Sequence, residues 1–83
     1  MPNILLVEDD DALSEGIALA LRAQGAVRRC PTLAEARKAL GRAGFDLMIL
    51  DINLPDGSGL ALLRERPAGF RTPVLLLTAN DLE

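Results

Sequence analysis

The chain has 83 residues, a formal net charge of −3 and a pI near 4.8, which leaves room for one small domain at most. Hydrophobic residues make up 49% of it, enough to exclude a disordered chain. Adjacent basic residues occur only as the pairs Arg28-Arg29 and Arg37-Lys38 in an acidic chain, so no basic face for direct nucleic-acid binding by this segment is expected.

In chain order, "ILLV" (Ile4–Val7) is a short apolar run bounded by polar residues, the pattern of a strand buried on both faces. The start turns acidic after this one run, unlike a signal peptide. No apolar stretch approaches the ~20 residues of a membrane span. Next, Leu13, Ile17, Ala20, Leu21 and Gln24 fall on one helical face, and Gly25 follows as a stop. Ala26–Cys30 is a more polar strand, expected at a sheet edge. Cys30 is read as a small apolar residue ending that strand. As a lone cysteine it forms no internal disulfide, which fits a reducing cytoplasm and a soluble protein.

Thr32 and Glu35 form a capping box, and Leu33, Ala36 and Leu40 supply the stripe of the helix it opens. Gly41 and Gly44 are expected to end it. "LMIL" (Leu47–Leu50) repeats the buried-strand pattern. A third helix is expected from Ser58 or Gly59, with Leu60 and Leu63 inward. Arg66 is its limit, because the residue before Pro67 avoids the helical region. Pro73 introduces a last strand, "VLLL" (Val74–Leu77), again read as covered on both faces. Strands alternating with helices predict one α/β unit over residues 1–83, with a parallel sheet and right-handed crossovers.

Open α/β sheets bind ligands outside the carboxyl ends of their strands. The first strand delivers Glu8, Asp9 and Asp10 there, the third Asp51, and the fourth Thr78 and Ala79. Clustered carboxylates raise one another's pKa, a cost that protonation or a hard divalent cation offsets. Mg²⁺ takes one or two carboxylates and keeps positions open for phosphate oxygens. Asp9 and Asp51 are candidate direct ligands, with Glu8 acting through water and the Asn53 backbone carbonyl completing the set. With the metal in place, Asp51 is also a candidate nucleophile toward a phosphoryl group, and the Thr78 hydroxyl a hydrogen-bond donor to it. Taken singly, each residue has a plain structural reading: Asp10 or Asp11 as the cap of the first helix, Asp51 as a turn residue, Asp56-Gly57 as a turn pair.

Together, "ILLVEDD", "DLMILDINLPDGSGLALLR" and "PVLLLTA" resemble the receiver domain of two-component response regulators, in order and spacing and over the whole chain. The acidic start and "LPDGSGLALLR" look most like regulators carrying a winged-helix DNA-binding domain. The resemblance implies a flavodoxin-like doubly wound parallel sheet with strand order 2-1-3-4-5. It assigns Asp51 as phosphoacceptor, Glu8 and Asp9 as the Mg²⁺-binding acid pair, and Asn53 as a carbonyl ligand. Thr78 becomes the switch residue and Ala79 the small residue beside the phosphoryl group. It also implies a histidine kinase as phosphodonor, a separate molecule because the chain has no histidine.

Set against that family, the fourth helix, fifth strand and fifth helix are expected to be missing, and with them a lysine that Lys38 does not replace. The chain is therefore expected to be the N-terminal portion of a receiver without its output domain, and to form a homo-oligomer through the exposed edge of its fourth strand or by exchanging elements. Two rival readings differ in class. An aspartyl-phosphate hydrolase would carry a second aspartate two residues after Asp51, where Asn53 stands. The retained Glu8, Asp9, Asp51 and Thr78 argue against a non-phosphorylated interaction module in the parent protein, while for the fragment itself an interaction or dimerisation role stands as the alternative.

Overall fold

The computed structural model describes residues 1–77; the positions predicted for Thr78 and Ala79 lie outside the described residues. The elements are β1 (Asn3–Val7), α1 (Asp11–Leu21), β2 (Ala26–Cys30), α2 (Leu33–Arg42), β3 (Leu47–Asp51), β4 (Asn53–Leu54), β5 (Gly57–Ser58), α3 (Leu60–Arg64) and β6 (Val74–Leu77). The main sheet is parallel in the order β2-β1-β3-β6, and β4 and β5 pair as a small antiparallel hairpin. This is the doubly wound order expected for the four long strands. Its direction reverses between β1 and β3, where such a sheet opens a crevice.

Strand alternation divides the core in two. Leu5, Val7, Met48 and Leu50 face Leu33, Ala36 and Ala39 of α2 and Leu62 of α3. Ile4, Leu6 and Ile49 face Ile17, Ala18 and Leu21 of α1. Leu5 and Leu50 are fully covered. Leu5→Ala is accordingly expected to cost about 2–5 kcal/mol, read as a lowered urea midpoint.

The structure corrects four local expectations. On α1, Ser14 and Ala18 turn inward with Ile17 and Leu21, while Leu13, Ala20 and Gln24 are exposed. Ser14 is buried because its hydroxyl accepts a 2.9 Å hydrogen bond from Arg29 Nε of β2. A stripe drawn through apolar residues alone misses it.

On α3 the buried residue is Leu62, with Leu60 and Leu63 half-buried, while the helix end at Arg64 falls within the expected limit before Pro67. On α2, Gly41 lies inside the last turn, because the helix runs on to Arg42. On β6, Leu75 is 54% and Leu76 40% exposed. The run is therefore not covered on both faces, and among the described residues only β3 pairs with the strand's edge. None of the described helices is long and apolar enough to cross a membrane.

Candidate functional site

The acid residues meet because of strand register. β1 and β3 pair as Ile4 with Leu47 through Val7 with Leu50, and one further step sets Glu8 beside Asp51. Both carboxylates are buried, at 5% and 6% residual exposure, while Asp9 next to them is exposed. One carboxylate oxygen from each of Glu8, Asp9 and Asp51 lies within 4.8 Å of the others. Neither of the ion pairs formed among the described residues involves any of the three.

Backbone donors hold the set in shape. Glu8 Oε2 accepts a 2.9 Å bond from the Asp10 N–H, and Asp51 Oδ1 a longer one, 3.3 Å, from the Asn53 N–H. The Glu8 N–H in turn donates to the Cys30 carbonyl at 3.0 Å. Burial pushes the Glu8 carboxyl above the ordinary glutamate value; the Asp10 N–H opposes this, and the charges of Asp51 and Asp9 add to it.

Asp10 is the cap of α1, accepting from the Leu13 N–H at 2.9 Å, so it is occupied structurally. Asp11 pairs with Arg29 at 2.9 Å. Cys30 is buried in the core, where desolvation raises its thiol pKa, consistent with a structural residue.

The loop after Asp51 is built around glycine. Gly59 lies against β3 so closely that a Cβ there would overlap the Asp51 carbonyl oxygen and stand 3.1 Å from Leu50 Cδ1. Its N–H donates to the Ile52 carbonyl at 2.7 Å, closing the base of the β4–β5 hairpin. Asn53 occupies the first position of that hairpin, two residues from Asp51.

A cavity of about 230 Å³ opens beside the acid cluster, lined by Glu8, Asp9, Asp11, Ser14, Arg29 and Pro31. A larger cavity of about 420 Å³, lined by Phe45, Met48, Leu62 and Phe70 among others, has none of the three acids in its lining, whereas the smaller one has Glu8 and Asp9 though not Asp51. Sequence reasoning missed Arg29 and Ser14, which flank the site through a contact between β2 and α1. It also read Asp56 as a plain turn residue. The carboxylate in fact accepts from the Leu33 and Ala34 N–H groups of α2.

The donor set fits a hard divalent cation. It is all oxygen, two of its three carboxylates are buried, and among the described residues no basic side chain forms an ion pair with them. Residues 4–83 match the response regulator receiver domain family. The transcriptional regulatory protein PmrA of Pectobacterium parmentieri is 49% identical over 81 residues, covering 95% of this chain and 36% of that protein. The swarming motility regulation protein RssB of Serratia marcescens is 46% identical, over 95% of this chain and 37% of its own length.

The solved MaeR response regulator bound to beryllium trifluoride superposes with a TM-score of 0.87 at 34% identity, over 99% of this chain and 70% of that one. The response regulator TrrA of Thermotoga maritima, in complex with Mg²⁺-BeF, gives 0.85 at 32% identity, over 96% of this chain and 71% of that one.

Proposed function

The chain belongs to the response regulator receiver domain family, a family of signalling modules, and from that premise we propose that Asp51 is the acceptor of a phosphoryl group. The observation that carries this is the convergence of Glu8, Asp9 and Asp51 at the carboxyl ends of β1 and β3. One Asp51 oxygen forms the bond to phosphorus as the bond from phosphorus to the donor breaks, and the electron pair leaves with the donor. β3 holds the carboxylate at the mouth of the crevice, and the Asn53 N–H orients its Oδ1.

Glu8, Asp9 and Asp51, with the Asn53 carbonyl, would hold Mg²⁺, Glu8 through a water. When bound, the cation offsets negative charge on the transferring oxygens. The Mg²⁺-BeF complex of TrrA supports this assignment. Thr78 and Ala79 are proposed to line the phosphoryl side, as switch residue and small neighbour. A histidine kinase is the proposed donor. The chain spans 36% of PmrA, a relative named as a transcriptional regulatory protein, which supports a DNA-binding output in the whole protein; a cytoplasmic location is proposed with it. Turnover of a free substrate forms no part of this reading.

Incubation with Mg²⁺ and acetyl phosphate, followed by intact-mass measurement, is the test. One phosphoryl adduct is expected on the wild-type chain and none on Asp51→Asn. An adduct that survives the substitution would overturn the assignment. Accumulation should be slow: Arg29, the basic side chain lining the cavity, is already engaged by Ser14 and Asp11.

A second reading rests on the exposure of Leu75 and Leu76 on β6. An apolar strand with an open edge recruits another strand. The 83-residue chain is proposed to self-associate there, or by exchanging elements, whether or not it is phosphorylated. Light scattering after size exclusion should give a mass that rises with concentration; a constant monomer mass removes this reading.

A further inference from the structure

We infer that Asp56 is a positioning residue for the acid pocket, pinning the tip of the β4–β5 hairpin to α2 and so setting where the Asn53 carbonyl sits beside Asp51. The inference rests on the Mg²⁺-dependent reading given above.

The first N–H groups of a helix have no partner within it. In α2, Thr32 Oγ1 accepts from the Glu35 N–H at 3.1 Å, as a local cap does. Leu33 and Ala34 find their acceptor elsewhere in the chain: Asp56 Oδ1 takes the Leu33 N–H at 2.8 Å, and Oδ2 takes the Ala34 N–H at 3.1 Å. A carboxylate is the complement of a helix N-terminus. Bonds from the Leu33 and then the Ala34 N–H, with the Arg37 charge nearby, hold its pKa below the usual aspartate value, so it is ionised at neutral pH.

The hairpin has two residues on each strand, joined by Pro55 and Asp56. Its base is tied to β3 by the Gly59 N–H and the Ile52 carbonyl, and its tip to α2 by Asp56. Gly57, at φ +145°, brings the tip so close to Leu33 that a Cβ would stand 2.9 Å from Leu33 Cδ1. Asn53 lies between these two anchors. With the tip released, one anchor remains, and the peptide that offers its carbonyl to the pocket is free to turn. Asp56 touches none of the reacting atoms; it acts through the hairpin.

The test compares the wild-type chain with Asp56→Ala, Asp56→Asn and Thr32→Ala. Mg²⁺ affinity is read by titration calorimetry, and amide exchange at Leu33 and Ala34 by NMR. Asp56→Ala is expected to lose protection at both amides and to weaken Mg²⁺ binding about tenfold, the scale of a lost partner behind a metal ligand. Asp56→Asn keeps one acceptor oxygen and should recover part of both. Thr32→Ala weakens the same helix end without touching the hairpin, and should leave Mg²⁺ affinity unchanged.

An Asp56→Ala chain that loses amide protection yet binds Mg²⁺ as wild type does would reduce Asp56 to a helix cap and overturn the inference. So would unchanged protection. A wild-type chain that takes up no Mg²⁺ would overturn the acid-pocket reading and this role together, a result distinct from the other two.

Discussion

Gly59→Ala is expected to destabilise the chain by roughly 3 kcal/mol or more, at the top of the usual range for overpacking, and to abolish adduct formation at Asp51. The methyl group would meet the carbonyl oxygen of Asp51 itself, with Leu50 Cδ1 also only 3.1 Å away. A backbone oxygen at the end of a central strand has no rotamer to escape into. Either β3 or the start of α3 must shift, and both carry site residues.

Gly16 is the control. It lies within α1, and a Cβ added there would meet nothing within 4 Å, so Gly16→Ala should gain about 0.5–1 kcal/mol from helix propensity. Urea midpoints of the two variants are expected to move in opposite directions. Equal and small shifts would mean that β3 and the α3 turn are not packed as described.

Saturating Mg²⁺ is expected to raise the unfolding temperature strongly. At a concentration 100 times its dissociation constant, a ligand of the folded state contributes about 2.7 kcal/mol, or roughly 10–20 °C for a domain of this size. In metal-free chain the same pocket is a liability, since two buried carboxylates face each other without a cation. Glu8→Gln is therefore expected to stabilise the metal-free chain while removing most of the Mg²⁺ response. Its amide oxygen can still accept from the Asp10 N–H, so the local turn is kept.

The pH dependence has a definite sign. Glu8 binds its proton more tightly folded than unfolded. Its part of the stability is therefore present below the unfolded glutamate value and is lost as pH rises through the raised folded value. Asp56 runs the other way: its pKa is lowered, so its part is present above the unfolded aspartate value and is lost as pH falls through the folded one. Thermal melts across this acidic range, with and without Mg²⁺, check both. A Glu8→Gln chain that melts at the wild-type temperature in metal-free buffer would remove the argument from buried charge.

Much of this molecule is legible in one dimension. The boundaries of β2 and β6 follow from local pattern, as does the Thr32 cap of α2. The acid set is legible too, because strand ends advertise themselves as the last residue of an apolar run. The inward face of α1 is not. Ser14 is buried by a hydrogen bond from Arg29, fifteen positions on, and no apolar periodicity reports it. Nor does Asp56 announce its role, for the N–H groups it binds lie 22 and 23 positions away. Between Pro55 and Gly57 it has the signature of any turn residue.

The residues alone dictate the chemistry available: three carboxylates at two strand ends, a strand-to-helix turn rich in glycine, and the alternation that makes the sheet parallel. These are local properties, set by each residue and its near neighbours along the chain. That the carboxylates meet in one cluster is a matter of folding in three dimensions. The register of β1 against β3 sets Glu8 beside Asp51, and Gly59 allows α3 to start against the strand it follows. Register and close approach arise from packing between segments far apart in the chain, and no local run of residues encodes them.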